Sequence, residues 1–591
     1  MVLTLIAVLG LAAQQPCDSV LAIWNVSIVP MDSARVLPRR TVVVQGGRIV
    51  QVARAGAPPR PAHACWRVID GTGKYLLPGL ADMHVHTRDT SDFTLWLAKG
   101  VTTIRILRGS PASLEWQRRS RNGFLLAPTI ITSGPFTNLP LIRTPADAWR
   151  AAVEQKAAGY DEIKIHGSLE QDTYDSLIAY GRRLNIPVVG HVPRNLPFAS
   201  VLANRQADIS HIEEILYGAF NTNLDDTSVA KIPAVSRAIA AAAITVTTSL
   251  VTYERIAAQV RDLPPLLNDP ANQYVAPSHL ESWQPRNNDY LRNFTPNGEW
   301  APKLAARYAF QEKLVQGLHA ARVRLILGTD AVGPLWVPGW MVHEELRTLV
   351  RNGFTPFEAL QTATANPAAF LGQTGEFGTV SAGARADLLL VDGNPLIDVR
   401  NAERIAGVVV RGRWMPRREL DARLAAIAAA NRAEEQRVTR LLAGGVATAA
   451  TRRCRSDLPV LSPEEQRLID LKVSNAFTDL VADSGVSAAQ HVADVVRRDC
   501  PTAVVFDEGG INDVANALIA RNRLADALPV LRFNAELFPQ SYLAPYFLGE
   551  ALLAAGDTAA AVAAYRKSVA NDEQMMDAID RLKRLGAWPV R

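Results

Sequence analysis

Cysteine is scarce: the 591 residues hold four, at positions 17, 65, 454 and 500, and none has CxxC spacing. That excludes a thiolate zinc ribbon and a CxxC redox motif. Long apolar runs are missing as well. The longest, at the N-terminus, has about a dozen residues and is too short to span a bilayer. Charge of one sign is not in large excess, with a net charge of +5. The arginines between Arg404 and Arg455 alternate with acids and alanines, as on a solvated helical face, and no DNA- or RNA-binding motif occurs. A nucleic-acid partner is therefore not expected, nor a membrane span in the mature chain.

What is present is a globular composition, 48% hydrophobic and 20% charged, in a chain too long for one core. The opening "MVLTLIAVLGLAA" reads as a secretory signal over residues 1–13, although no Lys or Arg precedes its apolar stretch. Export to a periplasmic or extracellular space fits the cysteines. Cys17 and Cys65 flank one N-terminal segment, and Cys454 and Cys500 lie together in the C-terminal part. That grouping suggests one disulfide in each region.

From Val20 to Ile69 the texture is that of short strands, with Gly46-Gly47 as a hairpin signal. A repeated strand-then-helix rhythm follows, with strands at "GLADMHVH", "GVTTIRIL", "LAPTIITSG", "DEIKIHG", "IPVVGHV", "ADISHIE", "ITVTTSLV" and "VRLILGTDA". Eight such units specify a (β/α)8 TIM barrel, an α/β fold. Strand texture then returns in "GTVSAGARADLLLVDG" and "IAGVVVRGRW". The expected order is a small β-sandwich formed from both flanks, 14–77 and 374–420, around a barrel at 78–373. A helical linker region, 421–510, and an all-α tetratricopeptide-like domain, 511–591, complete it. The last rests on a 34-residue offset between Ala527 and Ala561. Those repeats pack on the preceding helices, or serve a protein partner or a second subunit. Before the last barrel strand, a Pro-, Asn-, Trp- and Tyr-rich insertion runs from Glu254 to Trp300 and has the character of a lid.

His84 and His86 alternate at the end of the first barrel strand, so both point to one face. Lys164 is on strand 4, His191 ends strand 5, His211 ends strand 6 and Asp330 ends strand 8. The carboxyl ends of barrel strands line the active site, so all six meet at one mouth. His166, Tyr217 and His343 are candidate substrate contacts. Mixed nitrogen and oxygen donors suit Zn²⁺, with Mn²⁺, Co²⁺ and Fe²⁺ also compatible.

These segments, with "LQTATANPAAFLG" and "ARADLLLVDGNPL", resemble the amidohydrolase superfamily, in its imidazolonepropionase-like and Xaa-Pro dipeptidase group. The resemblance spans about Val20 to Leu420. It implies two divalent metal ions, the first held by His84, His86 and Asp330 and the second by His191 and His211. Lys164 would carry a CO2-derived carbamate bridging both, because an ammonium cannot ligate. A mononuclear site of His84, His86, Asp330 and one further histidine is the alternative. The implied activity is metal-dependent hydrolysis of a C–N bond in a small molecule, such as a dipeptide or N-acyl amino acid. Asp330 would shuttle the proton between an activated water and the leaving amine. A lactone or phosphotriester hydrolase would use the same site, and a non-catalytic binding protein would use the tail. Two departures from the group's pattern are visible: Ser210 precedes the strand 6 histidine, and Ile106 and Leu107 follow Arg105 where an acid is usual.

Overall fold

Two sheets carry the barrel part of the chain. The computed structural model describes residues 20–59, 66–87, 89–222, 224–294, 300–572 and 575–588. The signal segment, Cys17 and Cys65 lie outside the described residues.

The first sheet is assembled from both flanks, as the strand texture predicts. Strands β1 (Val20–Ile28), β2 (Leu37–Gln45), β3 (Arg48–Arg54), β4 (Trp66–Asp70) and β5 (Tyr75–Pro78) come from one side. From the other come β14 (Leu388–Val391), β15 (Ile405–Val410) and β16 (Arg413–Pro416), in the order β16-β15-β14-β5-β1-β2-β3. The sheet splits along β1, whose first half pairs with β4 and whose end pairs with β5. Its arms share a core that includes Leu21, Ile23, Val42, Leu76, Leu388 and Val409. Alternating apolar residues on paired strands bury one face each, which is why the flanks find each other.

The second sheet is the barrel. Its strands are β6 (Leu80–Val85), β7 (Val101–Ile106), β8 (Thr129–Phe136), β9 (Glu162–Ile165), β10 (Val188–Gly190), β11 (Asp208–Ile209), β12 (Thr245–Thr247) and β13 (Leu325–Ile326). All are parallel and neighbour one another in chain order. Backbone bonds from Met83 N to Leu327 O (2.8 Å) and Asp330 N to His84 O (2.7 Å) close the cylinder between β6 and the chain beyond β13. Only Gly79 separates β5 from β6, so Pro78-Gly79 is where the first sheet hands the chain to the barrel. The helices begin where their capping residues predict. Thr144 Oγ1 accepts from Asp147 N while the Asp147 carboxylate accepts from Thr144 N, and the helix Pro145–Ala158 starts there.

By packing, the chain forms two units. One takes in residues up to Tyr253, Arg307–Val332 and Pro338–Leu424; the other is Glu254–Ala306, Gly333–Val337 and Ala425 onward. The insertion thus packs within the helical unit. Glu281 accepts from Lys472 Nζ (2.9 Å) and Asn475 Nδ2 (3.1 Å), and Arg286 pairs with Asp479 at 2.6 Å. Cys454 and Cys500 form a disulfide there. Ala527 and Ala561 are each fully buried at the fourth position of the helices Leu524–Leu537 and Thr558–Asn571. No helix among the described residues is long and apolar enough to cross a membrane.

Candidate metal centre

The carboxyl ends of the barrel strands bring the predicted ligands together. His84 and His86, on alternate positions at the end of β6, place their Nε2 atoms 3.3 Å apart. Asp330 Oδ1 lies 3.3 Å from the first of these and 3.0 Å from the second. Three donor atoms within such distances form a cradle for a cation. The His211 ring centroid is 4.2 Å from that of His84 and 5.2 Å from that of His191. Burial pushes His84 and His191 well below the usual imidazole range and His211 down to about 3, so all three are neutral ligands-in-waiting. Burial works to raise Asp330, but His211 and His86 beside it hold its carboxyl below the usual range.

Lys164 is fully buried among these groups, and its Nζ has no hydrogen-bond partner. Burial pushes its ammonium down to about 8. An orphaned, readily neutralised amine between two histidine pairs fits the donor set of a bridged two-ion site better than a structural lysine would. Two glycines make the room. A Cβ on Gly190, which has φ +119°, would come within 2.8 Å of Lys164 Cδ, and one on Gly328 within 2.8 Å of His84 Cβ.

Two of the candidate ligands sit on strained backbone: His211 has φ 75° and Asp330 has φ 55°. Left-handed conformations of such residues cost about 1–3 kcal/mol each and concentrate at functional sites.

Two carboxylates from the start of the helix after β11 lie beside His191 and His211. Glu214 Oε1 is 3.2 Å from His191 Nδ1, and Glu213 Oε1 is 3.8 Å from His211 Nδ1. Neither contact is a hydrogen bond, and both Nδ1 atoms are left without a partner among the described residues. The signal for these acids, passed over in the sequence reading, is the pair Glu213-Glu214 that follows "ADISHI". Asp82 was also missed, although the period of two puts it on the face of His84 and His86. It accepts from Thr329 N (3.0 Å) and Thr329 Oγ1 (2.6 Å), which fixes the chain just before Asp330. Burial pushes Asp82 up to about 7.

Arg105 finds its acids on other strands. It donates from Nε to Glu162 Oε2 (2.7 Å) and from Nη2 to Asp208 Oδ2 (3.0 Å), with all three side chains buried. Ser210, the departure just before His211, donates its hydroxyl to Asp208 Oδ2 at 2.8 Å. It therefore joins the barrel's internal ion network.

The substrate candidates divide. His166, exposed one residue past β9, stacks on Phe136 and lies 4.4 Å from the His191 ring. Tyr217 hydrogen-bonds the Tyr253 hydroxyl, which in turn is bonded to Arg307, and Arg194 covers the Tyr217 ring at 4.6 Å. His343 is elsewhere. Its Nε2 lies 2.9 Å from the Lys99 carbonyl, just before β7 begins and so at the opposite end of the barrel from the ligands. His343→Gln is expected to keep kcat/KM within about 2-fold while costing about 1 kcal/mol of stability. Steady-state kinetics with a thermal midpoint checks this, and a large loss of turnover in a stable variant would return His343 to the site.

Fold and site together define a (β/α)8 barrel with a candidate metal centre at its carboxyl mouth. The chain belongs to the amidohydrolase family, whose profile matches residues 75–415. It is 38% identical to the ochratoxinase of Aspergillus niger over 103 residues, 17% of this chain and 20% of that protein. The match thus spans about a fifth of that relative's length. Among solved structures, it is similar to the bottromycin amidohydrolase (25% identity, TM-score 0.55), over 70% of this chain and 91% of that one. It is also similar to a putative prolidase from Bifidobacterium longum (23% identity, TM-score 0.53), over 70% of this chain and all of that one. The second likeness is one of fold.

Proposed function

We propose that this chain is an exported, binuclear metal-dependent amidohydrolase that cleaves the C–N bond of a small substrate such as a dipeptide or N-acyl amino acid. The observation that carries the reading is the convergence of His84, His86 and Asp330 at one mouth with His191, His211 and the unpartnered amine of Lys164. His84, His86 and Asp330 would hold the first cation and His191 and His211 the second, with Lys164 as the residue that would supply a carbamate to both. Zn²⁺ suits this donor set. When bound, such cations supply Lewis acidity for the scissile carbonyl and lower the pKa of water.

The chain's own residues do the rest. Asp330, ionised at neutral pH, accepts the proton of the attacking water on its carboxylate and returns it to the leaving nitrogen. Glu214 and Glu213 place acidic groups beside the His191 and His211 rings. Tyr217 and His166 are the candidate substrate contacts, the Tyr217 hydroxyl donating to Tyr253 until a substrate oxygen competes for it. The Cys454–Cys500 disulfide supports the exported reading. The buried, equivalently placed Ala527 and Ala561 support the tetratricopeptide reading of residues 511–591.

A panel of dipeptides, N-acyl amino acids, lactones and phosphotriesters tests the reaction class. Turnover of amides that is lost on chelation and restored by Zn²⁺ is the expected result. Turnover of lactones or phosphotriesters alone would overturn it.

A further inference from the structure

A cavity of about 840 Å³ opens at the end of the barrel opposite the candidate centre. It lies among the amino ends of β8 to β11, the C-terminal ends of the helices Pro145–Ala158 and Gln171–Leu184, and residues 370–373. Every residue that lines it belongs to the barrel unit. Its volume is of the size that takes a small organic molecule. One wall is apolar: Ile131, Ile178 and Val188 are buried there, and Phe370 and Leu371 are half-buried. Lys156, Arg182 and Arg205 stand exposed at the same cavity.

Cations are expected at helix C-termini, where they meet unpaired carbonyls. Two of the three serve that purpose. Lys156 Nζ donates to the Asn185 carbonyl (2.9 Å) and Arg182 Nη2 to the Asn204 carbonyl. Arg205 does not, for its guanidinium has no partner among the described residues. The two acids of the lining have cations of their own: Arg121 lies 3.7 Å from Asp161 Oδ1, and Arg105 donates to Glu162 Oε2 at 2.7 Å. Tyr160 adds an independent sign of a ligand. The residue is 7% exposed and lines the cavity, and its hydroxyl has no hydrogen-bond partner among the described residues. A buried phenol ordinarily finds one.

We propose that this cavity is a ligand site distinct from the candidate metal centre, and that it takes a small carboxylate with an apolar body, such as an arylalkanoate. The anion answers Arg205 and the neighbouring cations, the Tyr160 hydroxyl gains its missing partner, and the body covers the apolar wall. An inorganic anion would leave that wall wet, and a neutral ligand would leave Arg205 without a counter-charge. Two residues of β9, about 7 Å of strand, separate Glu162 in the lining from Lys164 at the other end. The site is thus independent of the hydrolase reading.

The test is calorimetric titration of the full chain with 3-phenylpropanoate, with 3-phenylpropanamide and acetate as comparison probes, and hydrogen–deuterium exchange to place the bound probe. Saturable binding of 3-phenylpropanoate is expected, about 10-fold or more tighter than that of either comparison probe, with protection in 156–162 and 182–188. Arg205→Gln is expected to weaken it about 5-fold and Tyr160→Phe about 3-fold. Arg205 is exposed and Gln keeps much of its stem, so that variant keeps the fold. No saturable binding up to about 10 mM overturns the proposal, as does equal affinity for the amide. Affinity unchanged in both variants also overturns it. So does protection confined to the segments around His84, His191 and His211, which would place the carboxylate at the candidate metal centre instead.

Discussion

Asp330→Asn is expected to lower kcat by about 10³-fold or more while the protein stays folded. The amide matches the carboxylate in size, so packing against the buried Thr329 and Ala331 is preserved. What is lost is the ability to take up a proton, together with one anionic donor to the first cation site. Asp330 is suited to the task by its surroundings: His211 and His86 hold its carboxyl below the usual range, so it is ionised where the enzyme works. Turnover measured with metal content and a melting curve separates the two losses. A variant that keeps one-tenth or more of wild-type kcat at full metal content would remove Asp330 as the proton carrier.

Arg105→Met should be the most destabilising single change in the barrel, costing about 3–5 kcal/mol. The guanidinium is fully buried between Glu162 and Asp208 and also donates to Met83 O at 3.2 Å. Removing it leaves two carboxylates facing each other without a counter-charge in a dry interior. Asp208 is further bonded to Ser210 and to Thr247 Oγ1 (2.9 Å), so the disturbance reaches β11 and β12, the strands that lead to His211 and the Tyr253 helix. Adding Glu162→Gln and Asp208→Asn should recover much of the loss, because the unpaired charges are then gone. A drop below about 1 kcal/mol in the barrel's urea transition would show that the network is not what organises the interior.

The barrel was legible from its strand-then-helix rhythm, and the candidate ligands from the short strands that end on or beside a histidine, lysine or aspartate. The alternation in "DMHVH" and the single histidines closing β10 and the β11 segment are local patterns, readable without contacts. Strand ends were less so. "ITVTTSLV" yields only Thr245–Thr247 as strand, because the Glu345 carboxylate caps Leu250 and Val251 and starts a helix there. "VRLILGTDA" is strand only at Leu325–Ile326, since Asp330 turns to a positive φ. The acids that serve Arg105 were invisible because they come from residues 57 and 103 positions away. The placing of the insertion depends on partners nearly two hundred residues on, such as Lys472 for Glu281. No periodicity records such a distance.

The central claim is that six side chains at one mouth hold two cations through Lys164. Metal analysis of the purified full-length protein and of Lys164→Ala tests it directly. About two divalent ions per chain in the wild type, falling sharply in the variant, is the result expected of a bridging carbamate. One ion per chain in both proteins would contradict it.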